Sequence, residues 1–432
     1  MPNPEYYKLK KMGKWVGNTP ENLYLFSENG KDVIIPIGLF SEIKKIWDLS
    51  KYNYEIDFAD DKIFNFNTNV ELYDYQKIAV DNCVKKGYGI LIAPTGSGKT
   101  QMGIALICKL GYKALWVTHT TDLLKQSYDR ASQYIDKKYL GKITAGKIQI
   151  GEGITFATVQ TLANLNLEEL KYEFNTIIVD ECHRLAGTPT KMKQFSKIVN
   201  SLASRHKYGL TATLHRSDGL EMTTMAYLGK VCYKVLESAT KNNIINATVL
   251  KVDTGIKIDE CCLDIDGTIN YNNLTKYLAE NENRNKVILN CLIKNKDNYN
   301  LILSQRVEHL TNLYNLLPTE EKEKAVLLNS KMTKKQRENA ISQTQAGEKH
   351  YMFATYSLAK EGLDIKLLDR LHLVMGSKDK AVIQQSVGRV RRKSKDGKIA
   401  IVFDYVDDFI KAKKDFKTRI NFYKDINCEV FI

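Results

Sequence analysis

The 432-residue chain lacks the marks of several protein classes. Proline is scarce, at seven residues, and no internal repeat or low-complexity tract is visible. Repeat arrays and compositional disorder are set aside, since 43% hydrophobic and 26% charged residues make a globular balance. No apolar run is long enough to span a bilayer. The opening "MPNPEYYKLKKMGKW" is basic and aromatic without an apolar segment, so neither a membrane association nor a signal peptide is expected. The eight cysteines form no C-x-x-C pair, which argues against a disulfide framework and a zinc ribbon and for reduced thiols in an intracellular, cytoplasmic setting. Acidic residues are outnumbered, 50 against 64 basic, leaving a formal charge of +14. That excess favours a polyanionic partner, nucleic acid before an anionic membrane, with a merely Lys-rich surface as the bland alternative.

Short apolar runs alternate with helical patterns. "GILIAP" (89–94), "KALWVTH" (113–119), "ITFAT" (154–158), "TIIVD" (176–180) and "YGLTAT" (208–213) read as buried strands. The pattern recurs in "YNLILSQ" (299–305), "KAVLLNS" (324–330), "HYMFAT" (350–355), "DRLHLVM" (369–375) and "KIAIVFDYV" (398–406). Alternation on this scale implies parallel sheets with helices on both faces, hence two α/β domains. Polar residues 253–272, broken by Gly255 and Gly267, make a soft join. "NLYLFSENGKDVIIPIGLF" reads as a hairpin turning at Asn29-Gly30, followed by a helix through Ile43, Ile46 and Trp47. The expected division is a small N-terminal module over 1–70, a first domain over 71–240 and a second over 241–432.

The segment "GILIAPTGSGKT" carries the clearest chemistry. A buried strand runs into a small-residue loop, and Gly98-Lys99-Thr100 opens a helix that ends at Gly111. Gly96 and Gly98 allow backbone N–H groups to turn inward around a phosphate, and the helix N-terminus adds its dipole. Lys99 is expected to reach the β- and γ-phosphates and the Thr100 hydroxyl to hold Mg²⁺. Ala93 stands where the pattern G-x-x-x-x-G-K-[ST] begins with glycine.

"TIIVDECHRLAG" (176–187) runs a strand straight into Asp180, Glu181, Cys182 and His183. A metal cluster, a thiol nucleophile beside its histidine, a magnesium-and-water site and a plain polar loop all fit the four residues alone. A phosphate loop needs a carboxylate at a neighbouring strand end, so Asp180 is read as the magnesium partner and Glu181 as the residue that polarises water. A Cys–His pair is disfavoured because such partners are usually brought together by the fold. Zinc is disfavoured because no further ligands follow at suitable spacing.

With these segments in order, the chain from residue 70 onward resembles the superfamily 2 helicases and translocases. "LYDYQKIAV" (72–80) is similar to the adenine-recognition segment, with Gln76 in the reading position and Tyr73 where relatives often carry Arg. "APTGSGKT", "VTHTTDLLKQ", "FATVQTL", "DECH", "GLTATLHRSDG", "FATYSLAKEGLDI" and "QQSVGRVRRK" resemble motifs I, Ia, Ib, II, III, V and VI. His119 stands where proline is common in motif Ia. The resemblance implies two tandem RecA-like parallel-sheet domains behind a small N-terminal α+β module. ATP with Mg²⁺ is the implied cofactor pair, held by Tyr73, Gln76, Pro94, Thr95, Gly96, Ser97, Gly98, Lys99, Thr100, Gly362 and Asp364, with Thr100 and Asp180 on the metal. Arg389 and Arg392 are implied as arginine fingers and Gln385 as a water-orienting group. His183 is implied as a coupling residue answered by Thr211 and Thr213. Nucleic-acid backbone contacts fall on Thr120, Thr158, Gln160, Gln305, Arg306 and Thr355, so binding is expected to be largely sequence-independent and salt-sensitive.

Arg216 and Asp218 in "TATLHRSDG", the tail "VFDYVDDFIKAKKDFKTRINFYKD" with Arg419 and Tyr423, and the leading "LYLFSENGKDVIIPIGLF" resemble the phage UvsW-type and XPB-type DNA helicases more than DEAD-box RNA enzymes. The implied activity is ATP-dependent remodelling of single-stranded and branched DNA, in replication, recombination or repair. ATP-driven closure of two domains would move their phosphate grips along a strand. An RNA helicase, or the motor subunit of a larger complex, is the alternative.

Overall fold

"TIIVD" shows in one strand why this chain builds its layers. Successive side chains of a strand point to opposite faces. Ile178 packs on one face with Leu91, Trp116 and Phe156, while Ile177 and Val179 pack on the other with Leu115 and Val117. Both faces are apolar, so the strand is covered twice, as parallel sheets require. Each fully buried Ile or Val contributes about 1.5–3 kcal/mol relative to exposure.

The computed structural model describes all residues except 69, 145, 186, 189, 190, 193, 215, 217, 241–244, 330, 331, 361, 362, 364 and 393–397. The chain falls into two units, Met1–Pro94 with Gly98–Leu236, and Thr95–Ser97 with Glu237–Ile432.

In the first unit a small hairpin pairs β1 (Ser27–Asn29) with β2 (Asp32–Ile34), and Gly30 takes φ +63° at its turn. A helix over Phe40–Ile46 follows, ending one residue before Trp47. The main sheet contains β3 (Gly89–Ile92), β4 (Ala114–Thr118), β5 (Leu140–Thr144), β6 (Lys147–Gln149), β7 (Ile154–Thr158), β8 (Thr176–Asp180), β9 (His206–Thr211) and β10 (Val231–Lys234). Their order is β10-β3-β9-β8-β4-β7-β5-β6, parallel throughout except for the β5–β6 hairpin. The register sets Val117 beside Val179 and Leu210 beside Asp180, so the loops after β4, β8 and β9 emerge together. Residues 59–64 lace onto this unit: Asn175 accepts from Lys62 N at 2.8 Å and donates to Asp60 O at 2.7 Å. Gly38 packs so tightly on the end of the Glu221–Leu228 helix that a Cβ would lie 2.4 Å from Gly229 N.

The second unit is a seven-stranded parallel sheet of β11 (Ala247–Asp253), β12 (Asn300–Ser304), β13 (Ala325–Leu327), β14 (Tyr351–Thr355), β15 (Arg370–Leu373), β16 (Ala400–Val406) and β17 (Glu429–Phe431). Its order is β13-β14-β12-β15-β16-β11-β17. Leu301 and Leu303 of β12 face one core layer and Ile302 the other. These are two α/β units of the RecA-like kind expected. Strands β5, β6, β10, β11 and β17 lie outside the runs read as strands from the sequence. Edge strands such as β10 and β17 are largely open to solvent, so they carry no continuous apolar run to be read. Among the described residues no helix is long and apolar enough to cross a membrane.

Candidate nucleotide site and nucleic-acid contacts

The phosphate loop leaves β3 through Ala93, which is fully buried and donates its N–H to Thr211 O at 2.9 Å. Gly96 and Gly98 adopt φ +84° and +80°, a left-handed backbone that other residues rarely tolerate. Gly98 caps the Lys99–Leu110 helix, which closes at Gly111 with φ +70°. Pro94 and Ser97 are buried, Thr95 and Thr100 half-buried, and Gly96 exposed. Lys99 Nζ lies 3.4 Å from Ala93 O, folded back along the loop. Backbone donors, a lysine and a hydroxyl thus converge on one small-residue turn, which suits a polyphosphate.

Gln76 is buried in the Asp74–Lys86 helix and accepts from Tyr73 N at 3.0 Å, closing a capping box. A Cβ on Gly98 would meet its Nε2 at 2.5 Å, so the Gln76 amide lies directly against the phosphate loop. Tyr73 is exposed and stacks near Tyr75.

Asp180 and Glu181 close β8. Glu181 adopts φ +51°, one of two described non-glycine residues with positive φ, and donates its N–H to Asp180 Oδ1 at 3.0 Å. Such strain is often held at functional sites. Burial, and then the neighbouring Glu181 charge, push the Asp180 carboxyl up, against the opposing pull of Lys99. Burial would also raise Glu181, but the close approach of the His183 ring and the Lys99 charge outweigh it and hold that carboxyl down. The pair is therefore split, with the ionised form favoured on Glu181. Among the described residues no group of three or more His, Cys, Asp or Glu is arranged to hold a metal ion. Asp180 and Thr100 remain as the candidates for a magnesium ion that keeps most of its ligands from phosphate and water.

His183 Nδ1 lies 3.2 Å from Glu181 Oε2 and 3.1 Å from Thr211 Oγ1. Thr211 in turn donates to Thr213 O at 2.7 Å. His183 therefore meets Thr211 directly and Thr213 only through it. Cys182 is fully buried, and burial followed by the two neighbouring carboxylates raises its thiol well above the ordinary range. A protonated, enclosed thiol is no nucleophile. A Cβ on Gly209 would lie 2.5 Å from its sulfur, so it fills space between β8 and β9.

Two residues here escaped assignment to the site from sequence. Arg216 donates through Nη1 to His183 O and, at 3.2 Å, to Leu185 O, while its Nε and Nη2 grip Asp218 at 2.8 and 2.6 Å. It ties the segment after β9 to the loop after β8. The nearly buried His119 follows β4, and its positive form adds to the pull on Glu181. The strand register was the missing signal for both.

Three of the expected strand contacts are threonines at the starts of helices. Thr120 Oγ1 accepts from Leu123 N at 3.3 Å, Thr158 from Thr161 N at 3.3 Å and Thr355 from Leu358 N at 3.4 Å. Each fixes a helix N-terminus, a favourable place for a phosphate, just past a strand end. Gln160 is exposed and donates to His119 O at 2.9 Å.

In the second unit Gln305 follows β12 and donates to Gly376 O at 3.5 Å. Arg306 Nε donates to Thr275 Oγ1 at 2.8 Å and its Nη2 to Asn272. Gln385 is buried in the Lys380–Val390 helix. Arg389 Nη1 donates to Leu363 O at 2.9 Å, joining that helix to the segment after β14. Arg392 lies just past the helix end and is half-buried. The arginine between them, Arg391, is structural: it is buried, donates to Ile245 O at 3.0 Å and lies 3.7 Å from Glu237. Gly362 and Asp364 lie outside the described residues.

Residues 69–216 match the family described as "Type III restriction enzyme, res subunit", and residues 283–394 match "Helicase conserved C-terminal domain". A putative ATP-dependent RNA helicase of Acanthamoeba polyphaga mimivirus is 28% identical over 95% of this chain and 78% of its own length. The ATP-dependent DNA helicase uvsW of Enterobacteria phage T4 is 25% identical over 89% and 82%. A DNA 3'-5' translocase, XPB2, of Sulfurisphaera tokodaii is 34% identical over 38% of this chain and 36% of its own.

Proposed function

This chain belongs to the superfamily 2 helicases, and within that family we propose that it is a DNA-directed motor acting on branched substrates such as forks, four-way junctions and displacement loops. That it uses ATP to drive helicase activity follows from the family. The observation that carries the reading is the constellation at the end of β8: a split carboxylate pair under the charge of Lys99, and a histidine joined to Thr211.

ATP with Mg²⁺, when bound, would supply the phosphoanhydride to be cut and the charge of a divalent cation; the loop glycines and Lys99 would hold the phosphates, and Thr100 and Asp180 the metal. The chain's own residues do the rest. Lys99 and the turned N–H groups hold phosphate oxygens. Glu181, kept ionised by His183 and Lys99, orients and accepts a proton from water. His183 joins that carboxylate to Thr211, and Arg216 joins the same loop to the segment beyond. On the strength of their motif, Arg389, Arg392 and Gln385 are assigned to transition-state charge and water orientation.

DNA is favoured over RNA by two relatives whose names specify DNA, one of them matched along most of its length. The N-terminal residues add exposed aromatics, Trp15 and Tyr54 singly and Trp47 stacked with Tyr52, suited to engaging unpaired bases. The second reading, RNA, is favoured by the mimiviral relative, which matches 95% of the chain. ATPase stimulation and unwinding across forks, four-way junctions, displacement loops, single strands and RNA duplexes separates the two. Branched DNA should stimulate most; stimulation by RNA alone would overturn the proposal.

A further inference from the structure

A cavity of about 60 Å³ opens in the second unit beyond the carboxyl ends of β15 and β16. Ligands of open parallel sheets commonly sit outside strand carboxyl ends. Arg284, only 1% exposed, lies in its lining. Nε and Nη2 donate to Asp407 at 2.7 and 3.3 Å, whereas Nη1 has no hydrogen-bond partner among the described residues. A buried charged donor left unmade costs several times what an ordinary hydrogen bond contributes, so an acceptor is called for there.

Lys411 and Asp415 also line the cavity, and Lys378 reaches it through Asp415. Lys378 and Lys411 converge on one carboxylate, Asp415, at 3.4 and 3.9 Å. Lys378 also lies over the Tyr271 ring at 5.3 Å. The nearby Lys378 ammonium holds Lys411 below the ordinary lysine range. Two cations on one acid leave a positive charge in excess. The other nearby carboxylates are already engaged: Asp407, in the lining, takes Arg284 and the Thr254 hydroxyl, and Asp404 takes Arg419 and Tyr423.

We propose that this cavity binds a phosphate group, with Arg284 and Lys411 in its lining and Lys378 beside it. Two sources carry that chemistry, a backbone phosphate of a bound strand and a free phosphate. Gln305, an expected strand contact, donates to Gly376 on the cavity wall, and Arg306 donates to Thr275 on the same wall. Only the strand source rests on the helicase reading; the free-phosphate source stands without it.

The test uses the full chain carrying Lys99→Ala, which weakens phosphate binding at the loop. Inorganic phosphate is titrated by calorimetry at fixed ionic strength, and an oligothymidine is bound over a salt series. Lys378→Ala with Lys411→Ala alters half-exposed side chains and leaves the Arg284–Asp407 pair intact, so the fold is preserved. The pair of changes should weaken inorganic phosphate at least tenfold. If a strand phosphate is the occupant, the logarithmic salt slope of oligothymidine binding also falls by about one to two. If free phosphate is the occupant, that slope is unchanged. Arg284→Lys keeps the charge but removes the guanidinium fork, and should also weaken phosphate. Unchanged phosphate affinity together with an unchanged salt slope overturns the proposal, as does Arg284→Lys binding phosphate at full strength. A chain that binds no oligothymidine at all would instead defeat the helicase reading and leave the calorimetric arm standing.

Discussion

At the scale of single residues, Lys99, Cys182 and Arg216 sit in three different environments, and the physics of each sets a different outcome on substitution. Lys99→Ala removes the lysine folded along the phosphate loop. ATP turnover should fall by about 100-fold or more, the loss typical of a removed transition-state donor, while oligonucleotide affinity measured by anisotropy stays. Cys182→Ala removes only a buried sulfur between β8 and β9. It should lower stability by about 1 kcal/mol and leave steady-state ATPase activity intact; loss of activity would restore the thiol to the chemistry. Arg216→Ala releases the loop after β8 from the segment after β9. Basal turnover should fall less than the nucleic-acid-stimulated rate, which an ATPase titration with and without DNA resolves. The residue types in "GSGKT" and "DECH" were legible because their chemistry is local. Arg216 was not, because its partners are carbonyls some thirty positions earlier in the chain.

At the scale of elements, parallel strands buried on both faces were readable wherever an apolar run was unbroken. "ITFAT" and "TIIVD" match β7 and β8 to the residue. Helix–sheet packing sets a limit at Gly103, where an added Cβ would lie 2.6–2.8 Å from Trp116 and Leu210 atoms. Gly103→Ala should therefore destabilise the first unit by about 1–3 kcal/mol, despite the better helix propensity of alanine; a urea midpoint measures it. In β15, His372 is fully buried, stacked on Phe403 and bonded to Asn300 and Tyr405 at 3.0 Å each. Burial, then Arg370, depresses its folded value to about 3. Below pH 6.5 the unfolded chain binds a proton that the folded chain refuses. Stability is thus full above pH 6.5 and falls as the pH drops towards 3, by up to about 1.4 kcal/mol per unit. His309, buried and likewise depressed, adds to the slope. Denaturant unfolding between pH 7.5 and 5 should show the loss, and His372→Asn should flatten it.

At the scale of the whole molecule, the +14 charge and the helix-capping threonines are the features on which the proposed grip on backbone phosphates rests. Affinity for single strands should accordingly fall steeply with salt and vary little between oligothymidine and mixed sequences. A filter-binding series from 50 to about 200 mM salt would show a drop of roughly 10³-fold or more if six phosphates are engaged. A flat salt response would remove the backbone-gripping picture at this scale.

The sequence by itself determined the chemistry that depends on neighbours along the chain: the glycine-lysine turn, the carboxylates closing a strand, and the two parallel-sheet arrays that follow from apolar periodicity. Tertiary structure alone decided what depends on register between distant segments. It set His183 against Thr211, locked Arg216 across the loop after β8, and made Arg391 the buried arginine of the three in "RVRR". It also left Arg284, its Nη1 without a hydrogen-bond partner among the described residues, in the lining of a cavity. Hydrogen bonds and desolvation act through space, and no periodicity along a chain encodes which strand lies beside which.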